Sequence, residues 1–209
     1  MERNNDHFPI SNENVSIRLF DSNFLEFFTF FHYTTPLVIF VPVLAYQAYK
    51  ALYINKTSIF VFVLGILAGL FLWSLAEYLA HRFIFHAHPG TAKGKRFVFL
   101  FHGVHHSYPR DGWRLIMTPF ASVPAALASF YLFHWVLSEV YATPAFIGFG
   151  LGYMTYDLLH YTIHFNGRRF PSLKRYHLRH HFSEPQRGFG VTSPFWDYVF
   201  RTQFQKSVR

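Results

Sequence analysis

The chain has 209 residues, of which 51% are hydrophobic, 22% aromatic and only 14% charged. A soluble domain carries about 25% charged residues, so much of this surface is expected to face lipid. There is no cysteine, which excludes a disulfide framework and a thiolate metal site and leaves nitrogen or oxygen to hold any metal. The net charge of +8 does not point to nucleic acid, because long apolar runs separate the basic residues and no nucleic-acid motif is present.

Residues 1–26 are polar and mixed in charge. They lack the basic-then-apolar pattern of a secretory signal and are too few for a separate domain of ordinary size. Residues 27–209 read as one membrane-embedded domain. A spanning helix needs roughly 20 predominantly apolar residues, and four runs qualify, at about 27–49, 58–79, 115–137 and 143–163. The first contains Pro36 and Pro42. The second places Gly65 and Gly69 at the GxxxG spacing that lets helices approach closely in lipid. The fourth contains Gly148, Gly150 and Gly152. Short links join runs one and two, and runs three and four, so each pair reads as a helical hairpin.

That topology puts the N-terminus, the 80–114 segment and the C-terminal tail on one side, with 17 of the 19 Lys and Arg residues. Lys50 and Lys56 alone lie opposite. The positive-inside rule makes the crowded side cytoplasmic. The fold class predicted is an all-α integral membrane protein, four spans in two hairpins, with a cytoplasmic helical cap.

The histidines sort to the same side. Two segments repeat one pattern: His102, His105 and His106, then His177, His180 and His181. Residues at i, i+3 and i+4 share a helix face, so each triplet presents three imidazoles together. His160 and His164 form an i, i+4 pair. His81 and His86 are five apart, which on a regular helix turns one well away from the other, so helix two is expected to end, bend or widen between them. Ten histidines thus read as ligands, about five for each of two metals. His7, His32, His88 and His134 fit no cluster and read as non-ligands. Imidazole suits several first-row metals, so the set does not choose between iron and zinc. Carboxylates are expected to accept the imidazoles' other N–H, with Glu77, Asp111 and Asp157 as candidates. Tyr108, Arg110, Trp113 and Arg114 lie close enough to the second cluster to anchor a polar head group, though a topogenic or interfacial role serves them equally.

The stretches EYLAHRFIFH (77–86), HGVHHSYPRDGWRLIMTP (102–119), YDLLHYTIHF (156–165) and YHLRHHFSEPQRGFGVTSPFWDYVFRT (176–202) resemble the fatty acid hydroxylase superfamily, and within it the fatty acid 2-hydroxylases. The resemblance covers about residues 70–202. It implies a membrane monooxygenase with two metal ions, iron in the active enzyme or zinc after purification, which uses O2 and two electrons to place a hydroxyl on C2 of a long acyl chain, free or sphingolipid-bound. The ten histidines carry over as metal ligands, and Tyr156 and Asp157 as catalytic-site residues. Many eukaryotic members carry a fused cytochrome b5-like domain. This chain does not, so a separate cytochrome b5-like or ferredoxin-like protein is expected to supply electrons, and a bacterial plasma membrane is favoured over the endoplasmic reticulum. The rival readings are a related oxygenase or desaturase acting on a sterol, carotenoid or alkyl lipid, and a non-enzymatic histidine-rich membrane metal-binding protein.

Overall fold

The structure is a computed structural model that describes residues 11, 13 and 15–205; His7 lies outside them. It is helical throughout, with no strand among the described residues. Helix α1 (Asn23–Phe27) precedes α2 (Thr35–Tyr49), which carries Pro36 in its first turn and continues into a π-helical turn, Lys50–Ile54. The first apolar run is therefore broken before Thr35 rather than helical from residue 27. Helix α3 (Ile59–Ala80) starts at Ser58, whose hydroxyl accepts from the Val61 N–H as an N-cap.

The expected irregularity of helix two is a π-turn, His81–Phe85, in which the His86 N–H donates to the His81 carbonyl at 3.1 Å. Widening the turn to i, i+5 aligns two histidines five residues apart, whereas an α-helix aligns residues three or four apart. Helix α4 (Ala92–Val98), a further π-turn (Phe99–Gly103) and α5 (Val104–Ser107) follow. Helices α6 (Pro119–Val136) and α7 (Glu139–Asn166) follow and pack against each other. Helix α8 (Pro171–Phe182) and the short α9 (Phe195–Val199) complete the described chain.

Among the described residues, two helices are long and apolar enough to cross a bilayer: Thr35–Ile54 and Ile59–Phe85. Their outward faces are apolar, with Val38, Phe60, Leu64, Leu67 and Phe71 exposed. Helix α7 differs in kind. Every residue from Ala142 to Gly148 is buried, and it forms the axis against which α2, α3 and α6 pack. Small residues set the α3–α7 separation. A Cβ added at Gly69 would stand 2.0 Å from the Ala145 carbonyl oxygen, and one at Gly148 would stand 2.1 Å from that of Ile66. Both glycines are required by backbone approach, and Gly69 is the second glycine of the GxxxG pair on α3.

Candidate dimetal histidine site

Each histidine arrives from a predictable element. His81 opens and His86 caps the π-turn that ends α3; His102 belongs to the π-turn Phe99–Gly103; His105 and His106 lie on α5; His160 and His164 on α7; His177, His180 and His181 on α8. They assemble into two groups. His81, His86, His102, His106 and His180 form group one; His105, His160, His164, His177 and His181 form group two. Within each, one ring nitrogen per residue lies within 4.8 Å of all the others.

The expected five-and-five division is present, but each triplet is divided between the groups. The i, i+4 partners stay together: the Nε2 atoms of His102 and His106 are 3.0 Å apart, and those of His177 and His181 are 2.9 Å apart. The middle histidine, His105 or His180, joins the other group. One hundred degrees of rotation per residue separates neighbours on a helix, so adjacent histidines feed different centres. His32, His88 and His134 belong to neither group.

Protein hydrogen bonding alone does not satisfy these nitrogens. The His81 Nδ1–H donates to the Phe189 carbonyl at 2.5 Å and the His180 Nδ1–H to the Arg187 carbonyl at 2.7 Å. A carbonyl only accepts, so both Nε2 atoms are lone pairs in the neutral ring. They face His102 Nε2 and His86 Nε2 at 3.0 Å. In group two, His177 Nε2 has three imidazole nitrogens within 3.0 Å, and one N–H cannot serve three. Converging buried lone pairs call for a cation. Nitrogens about 2.1 Å from one ion stand about 3.0 Å apart when their bonds are perpendicular, and the observed separations match. The residues therefore fit a metal ion in each group. Burial, reinforced by neighbouring imidazoles, holds His102, His105, His106, His177 and His181 well below the usual histidine range. That keeps them neutral, the form that ligates metal.

The carboxylates sit elsewhere than expected. Glu77 accepts from the Val191 and Thr192 N–H groups, both at 2.8 Å, and from the Thr192 hydroxyl at 2.7 Å, not from His81. Asp111 pairs with Arg114 at 2.8 Å and accepts from the Ser16 hydroxyl. Asp157 accepts from the Met117 N–H at 3.3 Å and makes no hydrogen bond to His160. Backbone amides and a hydroxyl satisfy Glu77, and a hydroxyl and a guanidinium satisfy Asp111, so neither needs an imidazole; the second oxygen of Asp157, Oδ2, is buried without a hydrogen-bond partner among the described residues. Tyr156 is buried, its ring 5.6 Å from that of His160.

Arg114 is not free to bind a head group. Its guanidinium is buried against Asp111 and Glu26, and donates to Ser16 and Thr29. Trp113 and Arg110 are exposed and Tyr108 half-buried. Asp197, absent from the sequence reading, is fully buried and holds the 189–190 backbone. Its only signal in the sequence was the C-terminal block, where it stands in SPFWDYVF.

A helical fold with two converging sets of five imidazoles defines the class, a protein with room for two histidine-held metal ions. The chain belongs to the fatty acid hydroxylase family: the family model described as Fatty acid hydroxylase matches residues 66–202. It is 36% identical over 200 residues to the dihydroceramide fatty acyl 2-hydroxylase FAH1 of Arabidopsis thaliana, covering 94% of this chain and 83% of that protein. It is 34% identical over 222 residues to the fatty acid 2-hydroxylase of Rattus norvegicus, where it covers 94% of this chain but spans only 58% of the relative. The solved structure of full-length scs7p, in which only the hydroxylase domain is visible, superposes with a TM-score of 0.81 at 37% identity, covering 88% of this chain and 70% of that one.

Proposed function

We propose that this protein is a membrane fatty acid 2-hydroxylase, which inserts one oxygen atom of O2 into a C2–H bond of a long acyl chain, free or amide-linked in a ceramide. The other oxygen leaves as water, with two electrons from a separate donor protein and two protons. The observation that carries the reading is the pair of five-imidazole groups in a chain whose relatives are named for this reaction.

The ten histidines of the two groups would hold the metals, and two iron ions would supply O2 activation. What the chain contributes is position. A 1 Å misplacement can cost on the order of a hundredfold in rate, and the frame of α3, α7 and α8 fixes the imidazoles from three directions. An apolar cleft among α2, α3, α6 and α7, lined by Phe40, Trp73, Met117, Phe146, Phe149 and Tyr153, suits the acyl tail. Trp73, Tyr153 and Tyr156 form an aromatic wall between that cleft and His160, with ring separations of 5.5 and 6.0 Å from Trp73. Tyr156 would face the reacting end of the chain. Asp157 would act indirectly, tying α7 to Met117 at the cleft.

The membrane topology follows the same reading. Helices α2, α3, α6 and α7 would span the bilayer as two hairpins with the histidine cap on the cytoplasmic side. In support, Lys50 at the end of α2 and Glu139 at the start of α7 form an ion pair at 2.5 Å, so these two helix ends lie together. Lipid mass spectrometry tests the reading in a host lacking its own 2-hydroxylase and supplied with an electron donor. New 2-hydroxy acyl chains are expected with the wild type and not with His180→Ala. A differently oxidised lipid would discard the substrate, and no product at all would discard the activity.

A further inference from the structure

A carboxylate outside the three expected from the sequence, Asp197, reaches a histidine of group one through one peptide unit. The Phe189 carbonyl that accepts from His81 Nδ1–H belongs to the same peptide unit as the Gly190 N–H. That N–H donates to Asp197 Oδ2 at 2.9 Å. Asp197 Oδ1 accepts from the Phe189 N–H at 2.9 Å and from the Thr202 hydroxyl at 2.7 Å. Carboxylate, peptide and imidazole thus form a continuous chain in which each hydrogen bond polarises the next. Gly190 makes it possible: a Cβ there would lie 2.1 Å from the Ser193 carbonyl oxygen and 3.0 Å from Asp197 Oδ2. Glu77 fixes the far end of the same loop through Val191 and Thr192, and the near end supplies the Arg187 carbonyl to His180.

Among the described residues, no such chain reaches group two. The Nδ1 atoms of His160, His177 and His181 are buried without a hydrogen-bond partner among the described residues, and His105 lacks one at either nitrogen. An outer acceptor orients a ligating imidazole and raises its basicity, and losing one typically costs 10–100-fold in metal affinity.

We propose that the 187–192 loop makes the two centres unequal: group one holds its metal more tightly than group two, and Asp197 is the positioning residue responsible, acting on His81 through the Phe189–Gly190 peptide. The inference rests on the proposed ligation of metal by both groups.

The test is chelator competition on Zn2+-loaded full-length protein in detergent, reading metal retained per chain by mass spectrometry. The wild type is expected to release its two ions in two steps separated by at least tenfold in chelator concentration. The tight step should vanish in His86→Ala and the weak step in His164→Ala. Asp197→Asn leaves the Phe189 carbonyl on His81 but weakens its polarisation, and should move the tight step to lower chelator concentration by up to about 10-fold, the low end for an outer partner, and leave the weak one in place. Thr192→Val, which removes one side-chain bond to Glu77, should move the tight step in the same direction by less. Two ions released together from the wild type, or a tight step that belongs to His164, would overturn this inference alone. A folded wild type that takes up no metal would overturn the ligation it rests on as well.

Discussion

His106 and His181 stack face to face, their ring centroids 4.0 Å apart and their planes 13° from parallel, although one belongs to group one and the other to group two. The contact joins the two groups through their walls. His106→Ala should therefore remove a nitrogen donor from group one and expose the ring of His181. Loss of at least one metal per chain and of all measurable turnover is expected, by metal analysis and product assay. Retention of both metals with full activity would remove His106 from the ligand set.

The Asp111–Arg114–Glu26 cluster predicts a large stability effect. The Arg114 and Asp111 side chains are 3% and 2% exposed and that of Glu26 12%. Removing one member of a buried pair costs about 3–5 kcal/mol, because the partner charge is left uncompensated. Arg114→Met should lower the thermal midpoint in detergent substantially. Lys50→Ala breaks a pair whose side chains are 33% and 45% exposed, and should cost less than about 1 kcal/mol. Equal effects would remove the distinction drawn between them.

Close approach of α3 and α7 predicts that Gly148→Ala destabilises. The added methyl meets backbone at Ile66, which cannot rotate aside, and overpacking of this kind costs about 1–3 kcal/mol. At Gly150 the nearest atoms are the Leu44 side-chain methyls at 3.0 Å, which can shift, so Gly150→Ala should be milder. Thermal melts of the two variants side by side check the order.

The histidine environment predicts a pH dependence of the metal-free protein. Burial holds His102, His105, His106, His177, His180 and His181 well below their usual range when folded, whereas the unfolded chain takes up protons near pH 6.5. Below about that pH the unfolded state binds more protons, so stability falls with acidification until the folded values are reached, and is level above it. Each such histidine contributes a slope of about 1.4 kcal/mol per pH unit inside that window. The thermal midpoint of apoprotein should drop from about pH 7 to pH 5; a flat or rising profile on acidification would contradict buried neutral imidazoles.

What the sequence made legible was mostly local. The five-residue interval between His81 and His86 called for the helix to end, bend or widen there, and it widens into a π-turn. The HxxHH repeats signalled two centres, and Gly65 and Gly69 signalled a close helix contact. The assignments that failed depended on segments far apart in the chain. Glu77 meets Val191 and Thr192, and Arg114 meets Glu26 across 88 residues; neither partner is marked by spacing. The division of each triplet between two groups arises because α5 and α8 lie between the centres, which no single helix pattern encodes. Asp197 reaches His81 only through a folded peptide, so nothing at the level of motifs links them.

The central claim is tested most directly by following the oxygen. Purified protein loaded with Fe2+ is given a chemical or protein reductant, a long-chain fatty acyl substrate and 18O2, and the product is mapped by mass spectrometry. One 18O atom at C2 of each product chain is predicted, with none incorporated from labelled water and none formed by His180→Ala. A hydroxyl at another carbon, or one whose oxygen comes from water, would contradict the account.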